Sequence, residues 1–472
     1  MNVFFQRLSI VFSLFFIQGI AAQNIIIDDA TQACSNFIFK NGESDLTISN
    51  TPDIIWSEQH PLAYIFNFHP QGYVVVSANA SLPPVIAYSF ESNFGKLNPD
   101  NPLYSILLAD LKNRLIYAKT ENENYANKNR QLWETVSSET FQLGSRAQWP
   151  SIGDGWITTN WTQYAPYSNF CPMDATSGQR SIAGCPAVAM AQILNFHKTT
   201  NGTSFDDGDD YYHNYLGRQF YVDDDGVTLD FPSFPLLNKH MDTLNAHWQN
   251  NVLPDNTDKA ALTFACGVAC KQVYTSSSSG TFGVNQAFNA YLKFGFTSAE
   301  LLHTTDSSLY PRLIQNIKDT LPAHLAVVNA AWTSGHNVIV DGYNTDNYFH
   351  INFGWGGSYN GWYLLPQEIP YNLTVIEGLI IDIIPDICTG TEEITNQPTD
   401  IQIFPNPATD YIYVFNMSSD DLKFDIYSSD GKLVLSESGS HADISTLKNG
   451  NYIVIARNTI EILGKSKITI IR

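Results

Sequence analysis

Residues 181–198 read SIAGCPAVAMAQILNFHK. Small residues lead up to Cys185, Pro186 follows it, and Ala, Met, Ile and Leu fill the rest. Proline suits the first position of a helix, because the N–H it lacks would have no partner there. The alanine-rich run behind it is a strong helix former. The stretch therefore predicts a buried helix opening at Cys185. A thiol in that place sits against unpaired N–H groups and the positive end of the helix dipole, both of which favour thiolate. Three readings stay open from this stretch alone: a packed core thiol, a disulfide partner of Cys171, or a nucleophile.

A nucleophilic thiol needs a base. Of the 11 histidines, His336 in SGHNVIVDGYN (334–344) follows a glycine and starts an apolar strand, so its ring can project from the strand's beginning. His197, at the far end of the Cys185 helix, reads as a favourable charge near a helix C-terminus. A third group must hold the imidazole in the right tautomer. Asn352, in HINFGWGGSYNGWY (350–363), is the candidate. Asp341 is a rival, but it stands five residues beyond His336 on the same strand, and period-two alternation points it to the opposite face. A tetrahedral intermediate needs oxyanion donors. The Cys185 N–H is one, and Gln163 in NWTQYAPYSN (160–169) is a candidate side-chain donor.

The 472 residues carry 25 Lys and Arg against 46 Asp and Glu, a formal charge of −21. That balance excludes nucleic acid and anionic membrane as partners, since phosphate binding needs basic side chains to displace counterions. With 44% hydrophobic and 15% charged residues the chain has material for real cores. Arg7, the apolar run Leu8–Ile17 and the small residues Gly19, Ala21 and Ala22 predict an export signal over residues 1–22. The run is too short to span a bilayer comfortably, so no integral membrane segment is expected. Export permits disulfides. With Cys185 free and Cys34 in a removable segment, Cys171, Cys266, Cys270 and Cys388 form an even set with three possible pairings. No cysteine or histidine spacing suggests a metal, and the acidic runs FDDGDDYYHNY and YVDDDGVTL lack the ligand alternation of a calcium loop. No cofactor is expected.

The segment 23–146 holds two alternating apolar runs separated by HPQ, a hairpin signature, and then a helical pattern from about residue 102. The block 147–387 is helical in front and strand-rich behind, which predicts an α+β domain of two lobes, one helical and one of antiparallel sheet. Residues 388–399 read as a linker. Residues 400–472 alternate as short strands with turns between them, a small β-sandwich.

On the motifs AGCPAVAMAQILNFHK, SGHNVIVDGYN, YFHINFGWGGSYNGWYLL, NWTQYAPYSN and, upstream, AYIFNFHPQGYVVVSANASLPPVIAYSFESNF, the chain resembles the streptopain family of papain-fold cysteine peptidases. The resemblance implies Cys185 as nucleophile, His336 as general base, Asn352 as its orienter and Gln163 in the oxyanion hole. It implies a substrate groove lined by Ser279 and Gly280, from SSSSGTF (276–282), and by Trp355. It also implies that 23–146 is an inhibitory propeptide. Processing is expected near Arg146, just before the catalytic motifs begin, with Lys128 or Arg130 in the polar stretch as further candidate sites. Such enzymes are endopeptidases acting on protein or peptide substrates and favouring an apolar residue just before the scissile one. Two departures stand out: Pro186 follows the nucleophile in place of a β-branched residue, and Phe353 stands where a Trp is common, with Trp355 nearby to compensate. The tail resembles the C-terminal sorting domain of type IX secretion. That implies a secretion-machinery partner and a secreted or surface-attached product. Two rivals remain, a transglutaminase-like thiol acyltransferase and a catalytically silent, surface-displayed binding module.

Overall fold

The computed structural model describes residues 24–43, 45–96, 101–120, 123–138, 146–223, 226–329, 331, 333–367, 374–385, 403–414, 423–428, 431–439, 441–457 and 462–472. The expected signal peptide, the linker and Cys388 lie outside them. Contacts divide the chain into Met1–Ile387 and Cys388–Arg472.

The first unit begins with α1 (Ile27–Lys40) and five strands, β1 (Thr47–Ile48), β2 (Asp53–Ser57), β3 (His60–His69), β4 (Tyr73–Ser77) and β5 (Val85–Ser89). The hairpin expected from the alternating runs is β3–β4, in register from Ala63 opposite Ser77 to Asn67 opposite Tyr73. Alternation along β3 gives it two apolar faces. Ala63 and Ile65 join a core beneath α2 (Pro102–Thr120), while Tyr64, Phe66 and Phe68 pack with α1 and Trp133 of α3 (Glu123–Ser137).

The helical lobe follows: the short strand β6 (Gln148–Trp149), α4 (Cys185–His197), the hairpin β7–β8 (Tyr211–Tyr215, Arg218–Val222), α5 (Phe234–Gln249), α6 (Asn256–Ala269) and α7 (Val284–Lys293). The sheet lobe supplies β9 (Glu300–Leu302), α8 (Leu309–Lys318), β10 (Ala323–Val328), β11 (Gly335–Asn344), β12 (Phe349–Asn352), β13 (Gly361–Tyr363) and β14 (Ile376–Ile381). The α+β expectation of two lobes holds.

The two halves are not separate layers. One antiparallel sheet runs β1-β3-β4-β5-β13-β12-β11-β10-β14-β9, with β2 added on β3 and β6 on β11. The joint is β5 against β13, where Tyr88 faces Trp362 and Ala87 faces Tyr363. The N-terminal strands thus cover what would be an open edge of the later sheet, a strand addition that satisfies backbone donors and acceptors on both sides. The central strands are buried on both faces. Ala326, Ile339 and Ile380 pack on the helical lobe, and Leu325, Val327, Val338 and Val340 pack toward α2 and α8.

The second unit pairs a three-stranded and a four-stranded sheet around Ile412, Phe424, Ile426, Val454 and Ile468, the small β-sandwich expected of the tail.

Candidate active site

Cys185 is the first residue of α4. Gly184 caps that end at φ 84°, and a Cβ there would lie 2.7 Å from Gln272 Oε1, so glycine is needed both for the turn and for the close approach. From Pro186 through Leu194 every side chain of α4 is buried, which fixes the helix and hence its N-terminus against the sheet. Cys185 itself is half-buried. Burial pushes its thiol up from the ordinary value, and hydrogen bonding from Asn337 opposes that. Asn337 Nδ2 stands 3.8 Å from the sulfur.

His336 begins β11 as expected, but no hydrogen bond joins it to Cys185 among the described residues. Its Nε2–H donates to the Phe353 carbonyl at 2.8 Å. Its ring stacks on Trp355 with centroids 4.1 Å apart, and on Phe353 at 6.0 Å. The ring is 3% exposed, and burial pushes it down to about 4, so it is neutral. The strand's own alternation explains the direction: His336 lies opposite Val327 on the face of the sheet away from α4, while Asn337 lies opposite Ala326 on the face toward it.

Asn352 ends β12 and is not bonded to His336. Its Nδ2 donates to the Thr159 carbonyl at 2.9 Å, and its Oδ1 accepts from Gly354 N at 3.0 Å and from Gln192 Nε2 at 3.4 Å. Gln192, on α4, also accepts from Trp161 N and Thr159 Oγ1, so Asn352 and the Cys185 helix share one buried polar knot. Gln163 comes close to the nucleophile turn, its carbonyl accepting from Ala183 N at 2.8 Å. Ser279 turns inward on its own loop, bonded to Thr275 N and O, and Gly280 pairs with Val273, leaving open space where a Cβ would be. Asp341 faces away from His336 and holds a different histidine, with His350 Nδ1 donating to it at 2.7 Å. Burial works against the charged form of His350, but Asp341 overrides it and raises the imidazole.

The N-terminal region reaches this site through the loop between β12 and β13. Tyr359 N donates to the Asn93 carbonyl, Asn101 Nδ2 donates to the Tyr359 hydroxyl, and the Tyr73 hydroxyl bonds to the Tyr359 carbonyl. Tyr359 in turn packs edge-on to Trp355 at 5.6 Å. Arg146 is half-buried, with Nη1 donating to Asn41 Oδ1 and to the Tyr88 hydroxyl, both within the N-terminal region.

One expectation is corrected and one open alternative is settled. His197 is no charged cap: burial pushes it down to about 4, and its Nε2 is buried without a hydrogen-bond partner. Cys171, Cys266 and Cys270 are buried free thiols, as is Cys34, and Cys171 does not bridge Cys185. The residues that sequence reasoning passed over are Asn337, His324 and Tyr291. The available signal was alternation, which turns the neighbour of His336 toward α4.

A thiol opening a buried helix, an imidazole at the start of the adjoining strand and an N-terminal region completing the sheet define a two-lobed α+β fold with a candidate thiol site. Residues 161–363 match the Peptidase C10 family. Residues 22–115 match the Spi protease inhibitor and residues 402–471 the secretion system C-terminal sorting domain, which marks a secreted or surface-attached protein. The thiol protease/hemagglutinin PrtT of Porphyromonas gingivalis is 25% identical over 421 residues, 84% of this chain and 45% of that protein. The chain thus spans less than half the length of that relative. Streptopain of Streptococcus pyogenes is 23% identical over 331 residues, 65% of this chain and 74% of that protein. A prointerpain A fragment from Prevotella intermedia aligns with TM-score 0.48 at 21% identity, covering 71% of this chain and 99% of that one.

Proposed function

We propose that the chain is the zymogen of an exported cysteine endopeptidase, in which Cys185 attacks the peptide carbonyl, His336 is the general base, Asn352 orients it, and the Cys185 N–H and Gln163 hold the oxyanion. Cys185 would form a thioester with the acyl half of the substrate, protonated His336 would give its proton to the leaving amine, and water would hydrolyse the thioester. The observation that carries the reading is the thiol at the start of α4, with His336 near the start of β11 sequestered under Trp355. Residues 23–146 act as the inhibitor. Their grip on Tyr359 supports an indirect latency, in which the propeptide holds the 353–360 loop and the loop holds His336 away from the sulfur.

Maturation then requires cleavage between the propeptide and the 147–387 domain. Arg146 remains the proposed processing site, its ties to Asn41 and Tyr88 being bonds that processing must release. Ser279, Gly280 and Trp355 line the groove for a substrate with an apolar residue before the scissile one. The 388–399 linker and the 400–472 tail serve recognition by the secretion machinery. The test is purified full-length protein beside Cys185→Ala. Self-cleavage and casein hydrolysis, absent from the variant and blocked by a thiol alkylator, are expected. Inert processed protein that an epoxysuccinyl peptide fails to label at Cys185 overturns the reading in favour of a silent binding module. Amine incorporation in place of hydrolysis overturns it in favour of an acyltransferase.

A further inference from the structure

A line of buried polar side chains ends on the Cys185 sulfur. The Tyr291 hydroxyl on α7 lies 3.1 Å from His324 Nδ1, His324 Nε2 on β10 lies 2.8 Å from Asn337 Oδ1, and Asn337 Nδ2 lies 3.8 Å from Cys185 Sγ. His324 and Tyr291 are both fully buried. The direction of the chain follows from proton counting. The Tyr291 O–H has no other acceptor among the described residues, so it donates to Nδ1. The neutral ring then carries its proton on Nε2 and donates to Asn337 Oδ1. That leaves the Asn337 NH2 facing the sulfur.

We propose that Asn337 is a further catalytic residue of this site, its amide donating to the Cys185 sulfur, with His324 and Tyr291 as positioning residues that fix the amide's orientation. The inference rests on Cys185 being the nucleophile. A donor aimed at sulfur stabilises thiolate over thiol, and hydrogen bonds to charged groups are the stronger ones. It acts before His336 arrives, so the thiol is prepared in the latent protein and the imidazole completes the pair on maturation. Burial keeps His324 neutral, pushed down to about 4, as the tautomer requires. The other titratable groups that act on this cluster are Cys266 of α6 and Cys270 at its end, which influence Tyr291, Cys270 also being influenced by Cys185, and His336, which His324 influences.

The test is the rate of Cys185 alkylation by iodoacetamide in the full-length chain, followed across about pH 6 to 10. Asn337→Leu, which removes the donor, is expected to slow alkylation at neutral pH about tenfold and to move the profile's midpoint up by about one pH unit. Asn337→Asp is expected to move it further, because a carboxylate then faces the thiolate. His324→Leu reproduces the Asn337→Leu shift, and His324→Gln restores the parent profile, since its amide N–H can still donate to Asn337 Oδ1. Should His324→Leu fail to fold, Tyr291→Phe/His324→Leu leaves no orphaned hydroxyl and serves in its place. An Asn337→Leu profile superimposable on the parent overturns the proposal, as does equal behaviour of His324→Leu and His324→Gln. Casein hydrolysis surviving in Cys185→Ala removes the nucleophile assignment itself and with it any catalytic part for Asn337. That outcome is separable, because the alkylation profile still reports the amide–sulfur contact.

Discussion

The indole of Trp355 lies nearly flat on the imidazole of His336, with planes 21° apart and centroids 4.1 Å apart. The indole also meets Tyr359 edge-on at 5.6 Å, and the backbone and hydroxyl of Tyr359 are held by Asn93, Asn101 and Tyr73. Three links therefore separate the propeptide from the imidazole, and each can be loosened without touching Cys185. Trp355→Ala removes a stack worth about 1 kcal/mol beyond its buried area. It is expected to speed self-processing several-fold in the full-length chain while raising KM of the mature enzyme, because the same indole is proposed to line the groove. Processing at the parent rate would show that the stack does not hold the latent state.

Acid should loosen that state. His336 and His324 titrate near 4 when folded, against an ordinary 6.5. A histidine depressed on folding binds fewer protons in the native state, so its contribution to stability is complete above about pH 6.5 and is lost as the pH falls toward about 4. His350 is shifted the other way, and its contribution changes only above that window. The urea midpoint of the Cys185→Ala zymogen is expected to fall between pH 6.5 and pH 4, with propeptide release following it. A midpoint constant over that range contradicts burial of the neutral rings.

Gly361 opens β13, the strand that β5 pairs with. A Cβ there would lie 2.6 Å from both the Tyr73 hydroxyl and the Tyr88 carbonyl oxygen. Gly361→Ala should therefore push β5 off β13. The separately added propeptide is expected to inhibit mature Gly361→Ala more than about tenfold less well than the parent, with kcat on a small peptide little changed. Unaltered inhibition would mean that the β5–β13 pairing is incidental to inhibition.

Asp341, fully buried, accepts from His350 Nδ1 and from Ile157 N. Asp341→Asn removes one charge of a buried pair, which costs about 3–5 kcal/mol where the other charge is stranded. A large loss in urea stability is expected, with the Cys185 alkylation profile of the remaining folded protein unmoved. A profile that moves would give Asp341 a part in the chemistry.

The sequence carries the elements better than their meetings. The helix opening at Cys185, the β3–β4 hairpin and the strand beginning at His336 are written in local periodicity and punctuation, and the structure has all three. The β5–β13 joint is not legible, because its two strands lie in different sequence blocks and each alternates well enough to stand alone. The thiols of Cys171, Cys266 and Cys270 are paired by neither spacing nor packing: they sit in the apolar interior of the helical lobe, where a free Cys behaves as a small hydrophobe. Alternation correctly turned Asp341 away from His336, yet the same rule applied one residue on would have turned Asn337 toward the helix. What hid the latent arrangement is that Phe353, noted only as a missing Trp, supplies its backbone carbonyl to the imidazole, a contact independent of its side chain.

Gly184 tests whether the turn before the nucleophile matters as geometry. Its φ of 84° with ψ of 140° belongs to a region almost confined to glycine, and a non-glycine residue there costs about 1–3 kcal/mol. The added Cβ of Gly184→Ala would also press on Gln272 Oε1 at 2.7 Å, and Gln272 Nε2 donates to the Ala183 carbonyl at 2.6 Å. The peptide planes on either side of residue 184 would then rotate, and with them the Cys185 N–H that the mechanism assigns to the oxyanion. Iodoacetamide forms no oxyanion, whereas a peptide aldehyde does once the sulfur adds to it. Gly184→Ala is therefore expected to weaken aldehyde inhibition and kcat at least about tenfold, while alkylation slows far less. Parallel losses in both reactions would instead place the damage at the thiol, and the Cys185 N–H would lose its assigned role.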